Sequence, residues 1–478
     1  MTRRGKLFVC GAAVAYVVAV MFLALRVGLE PTWPVLIALV VPFGVWLARR
    51  YPGLLIAAML FVGNYKTRAA VGISLTDPTL VVVGLLAAIS GWELLLIVGG
   101  VGQKPLGRLF LGQKWAVITF FLLQLILVVS FFYTASPLAA TEKLEHILVF
   151  NTLAFVPPFL LLKKERDLEV LLWAIVVLAI PIAVRLIMGI SHPNERQLSG
   201  EADVTYIGDA ELIGITILTL LYHRLPGAFG RMLTFVALPL FSVGIIASIA
   251  RGPSLVLVLV VVLTTLLLPH GGTQWVSRRV VLTGAFLLIV GMATALFWVR
   301  QLPGAEAKSQ QKGNELSALM HGTLDAGGTT SKRLEFFKSS AAAFVQEPFI
   351  GLGLAGWGNF YYGDNRSAFP HCFVLEVAAE QGLPGLIALL GLLGAAVVSL
   401  KRIRRAGSRF IFVLPVFLFS VLLNMITGGI DNRIMFFWIA AVFVVDRMEL
   451  ERARESAESA AYATEYAWPS ELMRTPVL

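Results

Sequence analysis

Apolar runs of membrane length alternate with short polar breaks along almost the whole chain. The runs lie at about 7–25, 33–48, 53–63, 79–99, 115–133, 146–162, 168–190, 206–222, 232–249, 253–268, 280–299, 371–399, 410–426 and 434–445. About 20 apolar residues in helical conformation cross a bilayer, so the pattern predicts about fourteen spans, or twelve if the shortest runs merge or re-enter. One long polar interval, 300–370, breaks the alternation. Its first part, Gln301 to Lys332, is rich in Gly, Ser, Thr, Lys and Gln and is expected to be mobile until something binds it. In its second part Leu334, Phe337, Ala341, Phe344 and Val345 recur at helical spacing, which predicts an amphipathic helix with those side chains on its apolar face. Pro348 ends it, because the residue before a proline is pushed out of the α region. This helix is expected to lie on the membrane surface or the mouth of the bundle, as a lid. After Asp446 the tail mixes charge with alanine and predicts a solvated helix that frays.

Composition removes any soluble alternative. Of 478 residues, 58% are apolar and 14% charged, and the mean hydropathy is +0.81, more apolar surface than a soluble core hides. The fold class is all-α and polytopic, with 12–14 transmembrane helices and one long extracytoplasmic loop carrying short helices. It divides into amino-terminal helices (1–190), central helices (191–299), the loop (300–370), carboxy-terminal helices (371–446) and a tail (447–478). The net charge of +10 does not point to nucleic acid, because lysines and arginines fall in short clusters between apolar runs. Arg49-Arg50, Lys163-Lys164, Arg278-Arg279 and the cluster from Lys401 to Arg409 all fall on one set of alternate loops. By the positive-inside rule that set is cytoplasmic. Both termini are then cytoplasmic and the loop 300–370 is extracytoplasmic. Arg3, Arg4 and Lys6 before the first run resemble a signal peptide, but that run is too long and lacks a small-residue exit, so it is expected to remain as a span. Cys10 and Cys372 offer neither a disulfide framework nor a metal-binding spacing, and no metal or cofactor is expected.

The topology brings Arg196, Arg251, Arg333, Arg366 and His371 to the same, non-cytoplasmic face. Arg251 sits in the tight turn of SIARGPSL, where an arginine at membrane depth is costly unless paired or hydrated. Its ordinary explanation is a side chain that snorkels to head groups. Asp431 and Arg433 in TGGIDNRIMFFW have a similarly plain explanation, pairing with each other. The planar guanidinium fork suits phosphate or diphosphate, and a neutral histidine beside arginines is suited to accept a proton. Together they point to chemistry on a lipid-linked diphosphate. The segment GLGLAG at 351–356 matches the dinucleotide fingerprint G-x-G-x-x-G, but no strand precedes it. It is expected to be a tight loop.

Three stretches carry a family resemblance. SIARGPSL resembles the S-x-x-R-G turn of the O-antigen ligase and polysaccharide polymerase superfamily. RLEFFKSSAAAFVQEPFIGLGLAGWGNF resembles its arginine, helix and P-hydrophobic-G-x-G segment, and PHCFVLEVAAEQGLPGLIALL its H-N-x-hydrophobic-L-E/Q segment followed by E-x-G-hydrophobic-x-G. Order and spacing over about 190–440 make the combination specific. Cys372 departs from it, standing where the family has asparagine, which puts the acceptor in question. The resemblance implies a metal-independent, inverting glycosyltransferase in a bacterial inner membrane, with an undecaprenyl-diphosphate-linked glycan as donor and a glycan or lipid as acceptor. It implies His371 as general base and Arg251 and Arg196 as diphosphate ligands, with Arg333, Arg366, Asp431 and Arg433 as further substrate-binding candidates. Membrane lipids are the surrounding partners. Two other classes remain open. A transporter would use ionisable residues inside spans, for which Glu93 and Arg185 are the main candidates. A non-catalytic envelope-assembly protein would need no outer histidine among arginines.

Overall fold

The computed structural model describes residues 49–65, 78–99, 112–188, 202–267 apart from isolated turn positions, and 329–465, with single positions near 45 and at 290. Arg196, the first predicted span, nearly all of the 33–48 and 280–299 spans and the 301–328 segment lie outside the described residues. No strand occurs among the described residues, and six helices there are long and apolar enough to cross a membrane. The protein is an all-α polytopic membrane protein.

Contacts divide the chain into two units. The first, residues 1–103 with 160–178, contains α1 (Pro52–Phe61), α2 (Pro78–Val98) and the first half of α6 (Glu165–Met188). Here Gly53 lets two backbones touch, since a Cβ on it would lie 2.3 Å from the Asp167 carbonyl oxygen. The Asp167 carboxylate accepts the amide protons of Lys163 (3.1 Å) and Lys164 (2.9 Å) and so caps α6. Glu93 is not a lone intramembrane charge, for Lys163 lies 2.5 Å from it.

The second unit holds the other elements. They are α3 (Lys114–Phe131), α4 (Pro137–Glu145), a π-helical stretch (His146–Asn151) and α5 (Thr152–Leu161). Then follow α7 (Ala202–Tyr222), α8 (Gly227–Ala247) and α9 (Arg251–Leu267). The last five are α10 (Thr329–Gln346), α11 (Gly356–Tyr362), α12 (Phe373–Arg405), α13 (Val413–Asn424) and α14 (Arg433–Glu465). Helix α12 packs on α3, α10 and α14, and α14 also on α13. The core between them is aromatic, with Phe120 stacked on Phe155 at 3.9 Å between centroids and Trp438 fully buried. Asn432 starts α14, its side-chain oxygen accepting the amides of Ile434 (2.8 Å) and Met435 (3.3 Å). The helix stays buried through Glu449 and is then largely exposed to its end, as a solvated tail requires. Arg185, in the second half of α6, pairs with Asp209 of α7 at 2.6 Å.

Four expectations need correction. The span expected at 146–162 begins at Pro137, because a π turn lets the helix continue through His146. The run expected to be continuous over 371–399 is broken at Gly382, whose φ of 62° and ψ of −156° are not helical. Helix α10 buries a different face from the one expected: Ser340 and Ala343 are fully buried and Phe336 packs beside Ala343, while Leu334 and Val345 are 37% and 76% exposed. Small side chains let α10 approach α12 closely, whereas in a membrane protein a large apolar residue is equally at home facing outward. Asp431 and Arg433 do not form the simple mutual pair expected. Asp431 faces Glu376, and Glu211 is the acid that acts on Arg433.

Candidate functional site

The site is built around the break in α12. Pro384 has no amide proton to return to the Glu380 carbonyl, and Leu383 gives its own to Pro348 (2.8 Å), outside the helix. Two carbonyls of α12 are thereby left over. The loop after α10 satisfies both: Leu352 donates to the Ala379 carbonyl and Gly353 to that of Glu380, each at 2.9 Å. Leu354 donates to Ser130 at 3.1 Å, tying the loop to the end of α3. Close approach explains the glycines, since a Cβ on Gly351 (φ +68°) would lie 2.5 Å from the Glu380 backbone and one on Gly353 (φ +83°) 2.6 Å from Thr134. GLGLAG is therefore a plug for a broken helix, and its resemblance to a nucleotide loop is accidental.

Beneath this plug lies a buried ion cluster. Lys143 of α4 reaches Glu376 at 2.5 Å and Glu380 at 2.6 Å, and both glutamates are fully buried. Spaced four apart, they share one face of α12. Glu380 also accepts the Ala355 amide at 3.0 Å, and Glu376 the Ile430 amide at 2.8 Å. Asp431 joins them: a Cβ on Gly429 would lie 2.8 Å from Asp431 Oδ1 and 3.1 Å from Glu376 Oε2. Lys143 was not singled out from the sequence, and Glu376 and Glu380 entered only as the acidic positions of the two family segments, with no role given to them. The i, i+4 spacing of two glutamates inside an apolar run was the available signal, while Lys143 lay in what read as a short loop.

His371 stands just ahead of α12 in the left-handed region at φ 57°, a conformation that costs a non-glycine residue about 1–3 kcal/mol. Its ring stacks on Phe336 of α10 at 5.9 Å and meets Phe369 edge-on at 4.7 Å. Nδ1 is buried with no hydrogen-bond partner among the described residues. Burial lowers the pKa of the ring below the usual histidine value and the Arg333 guanidinium lowers it further, against an opposing hydrogen bond to the Thr427 backbone. The ring is thus neutral at physiological pH and so able to accept a proton. Cys372, 6% exposed, is the cap residue of α12 and makes no side-chain capping bond; burial raises its thiol pKa, so it stays protonated.

The structure brings several of the predicted residues to this point and leaves others aside. Arg333 lies close enough for its charge to lower the His371 pKa. Arg251 is the first residue of α9, and its neighbour Gly252 packs on Thr427, a Cβ there lying 3.1 Å from Thr427 Cγ2. Since the Thr427 backbone also touches His371, the arginine turn and the histidine meet across one loop. Asp431 and Arg433 close that loop, with Arg433 half-buried over the Phe150 ring at 5.5 Å. Arg366 is exposed and engaged locally, 3.0 Å from Asp364 and over the Tyr362 ring at 4.5 Å.

No match was found among curated proteins. Residues 235–390 match the O-antigen ligase family, a stretch that holds Arg251, Arg333, Arg366, His371, Glu376 and Glu380. Over that stretch the chain is similar to the O-antigen ligase family, and the similarity supports a role of O-antigen ligase or polymerase type in polysaccharide biosynthesis.

Proposed function

We propose that this protein transfers a glycan from an undecaprenyl-diphosphate-linked donor to an acceptor hydroxyl on the outer face of a bacterial inner membrane. His371 removes the acceptor proton, the freed oxygen attacks the anomeric carbon, and the bond to the diphosphate breaks with inversion. The bonding electrons leave with the diphosphate, whose growing charge Arg251 and Arg196 neutralise. A diphosphate leaves without a general acid, so no second carboxylate is required opposite the base, and the proposed reaction is metal-independent.

The observation that carries this reading is a neutral histidine whose buried Nδ1 has no partner among the described residues, one loop away from the Arg251 turn. A transporter is less well supported, because Glu93 and Arg185 have ion-pair partners in Lys163 and Asp209.

The test is transfer by the purified, reconstituted protein from a lipid-diphosphate glycan, with chelator present. His371→Ala is expected to lose about 10²- to 10⁴-fold in rate while still binding donor. Arg251→Lys keeps the charge but not the fork, so its KM for donor rises. Full activity of His371→Ala ends the assignment of the base. A cysteine placed at Ser317 is expected to label in intact cells, and labelling only after permeabilisation would overturn the outer-face placement.

A further inference from the structure

We propose that Glu376 is a positioning residue for this reaction, setting the separation between the His371 ring and the Arg251 turn through the loop Thr427 to Ile430. The proposal rests on the roles given above to those two residues. Glu376 lies in the first turn of α12, the helix that His371 precedes, and its own amide donates to the Cys372 carbonyl at 2.9 Å. It is therefore fixed relative to the base. From the same side chain, Oε2 accepts the Ile430 amide at 2.8 Å, while Lys143 holds the carboxylate at 2.5 Å from the other side.

Ile430 ends the run Thr427-Gly428-Gly429-Ile430, whose two glycines give it little stiffness of its own. It needs external anchors. At Ile430 Glu376 supplies one, and the Asn151 side-chain amide supplies another by donating to the Ile430 carbonyl at 2.9 Å, while at the near end the Leu423 carbonyl accepts the Thr427 amide (2.8 Å) and hydroxyl (2.9 Å). Three residues upstream, Thr427 touches the His371 ring with its backbone and the Arg251–Gly252 turn with its side chain. A shift of Ile430 is passed to Thr427, and from there to the contact between base and arginine turn. Misplacement of reacting groups by about 1 Å is enough to cost about 100-fold in rate. A buried ion pair alone would explain stability but not this geometry, in which one carboxylate oxygen faces the lysine and the other the loop.

Glu376→Gln and Glu376→Leu distinguish the two roles. Both remove the same charge, both leave Lys143 its pair with Glu380, and both fill similar volume; only glutamine keeps an acceptor for the Ile430 amide. Two readouts are taken. The first, independent of activity, is disulfide formation between Gly252→Cys and Thr427→Cys in a Cys10→Ala/Cys372→Ala background, since a Cβ at position 252 would lie 3.1 Å from Thr427 Cγ2. The second is kcat and KM in reconstituted vesicles with the natural cysteines. Glutamine is expected to keep the cross-link and to stay within about threefold of the parent kcat. Leucine is expected to lose the cross-link and about 10- to 100-fold in kcat with little change in KM for donor. A leucine variant that cross-links and turns over like the glutamine variant overturns the proposal. Cross-linking that separates the two variants, in a protein that transfers no glycan at all, upholds the placement by Glu376 and overturns the reaction assigned to the site.

Discussion

The two ends of α12 are built on different rules. At the Arg402 end each buried carboxylate has an arginine: Arg402 grips Asp446, which also receives the Gln113 side-chain amide, and Arg452 pairs with Glu449 at 2.6 Å. Ser399 and Ser408 complete the bonding there, and the positive φ is carried by Gly407, which bears it without cost. At the His371 end one lysine faces two buried glutamates with a third carboxylate beside them, and the only non-glycine residues with positive φ among those described, Ala355 and His371, flank the cluster. One end is arranged for stability alone. The other packs three carboxylates around one lysine and carries backbone strain, which persists only where surrounding structure enforces it.

Removing the lysine should break the contrast most severely. Lys143→Met leaves Glu376 and Glu380 buried without their cation, and a loss of about 3–5 kcal/mol is expected, measured as a fall in the thermal midpoint in detergent. Gly351→Ala comes next. Its left-handed φ alone costs about 1–3 kcal/mol, and the new Cβ would press on the Glu380 backbone, so the plug should leave the helix break. Faster hydrogen exchange at Leu352 and Gly353 is the readout, and unchanged protection there would refute the plug. Arg402→Met, at the other end, should cost only about 1–2 kcal/mol, because its side chain is 37% exposed and Asp446 keeps Gln113 as a partner. If it costs as much as Lys143→Met, the two ends do not differ as described.

The smallest effect concerns pH. The rate should fall as pH drops through the lowered His371 pKa, because only the neutral ring accepts a proton. Arg333→Gln removes one cause of that lowering, so the acid limb of the pH–rate profile should move to higher pH, while burial, the larger cause, remains. A limb that stays in place, or moves down, would separate Arg333 from the base.

The sequence reported burial well only where polarity was informative. Apolar runs revealed the helices, and Glu347-Pro348 and GLGLAG announced where α10 stops and a loop turns. Hydrophobicity failed to show which face of α10 is inside, because bilayer and core are equally apolar; Ser340 and Ala343 were the better guide. The break in α12 was written in Gly382-Leu383-Pro384, but a membrane-length run masks a single proline. Arg333, His371 and the Arg251 turn could be assigned to one place by topology. The loop that brings the turn and the histidine together, and Lys143 beneath it, depend on contacts between segments far apart in the chain, which periodicity does not encode.

The left-handed backbone at His371 and Ala355 bears on how this protein would respond to selection. Glycine at either position relieves strain, so a population screened for heat resistance alone should accumulate His371→Gly and Ala355→Gly. Only one of these substitutions removes the proposed base. Under selection for the proposed glycan transfer as well, Ala355 remains free to change while His371 is held, so the two positions would part company in any mutational library scored for both properties.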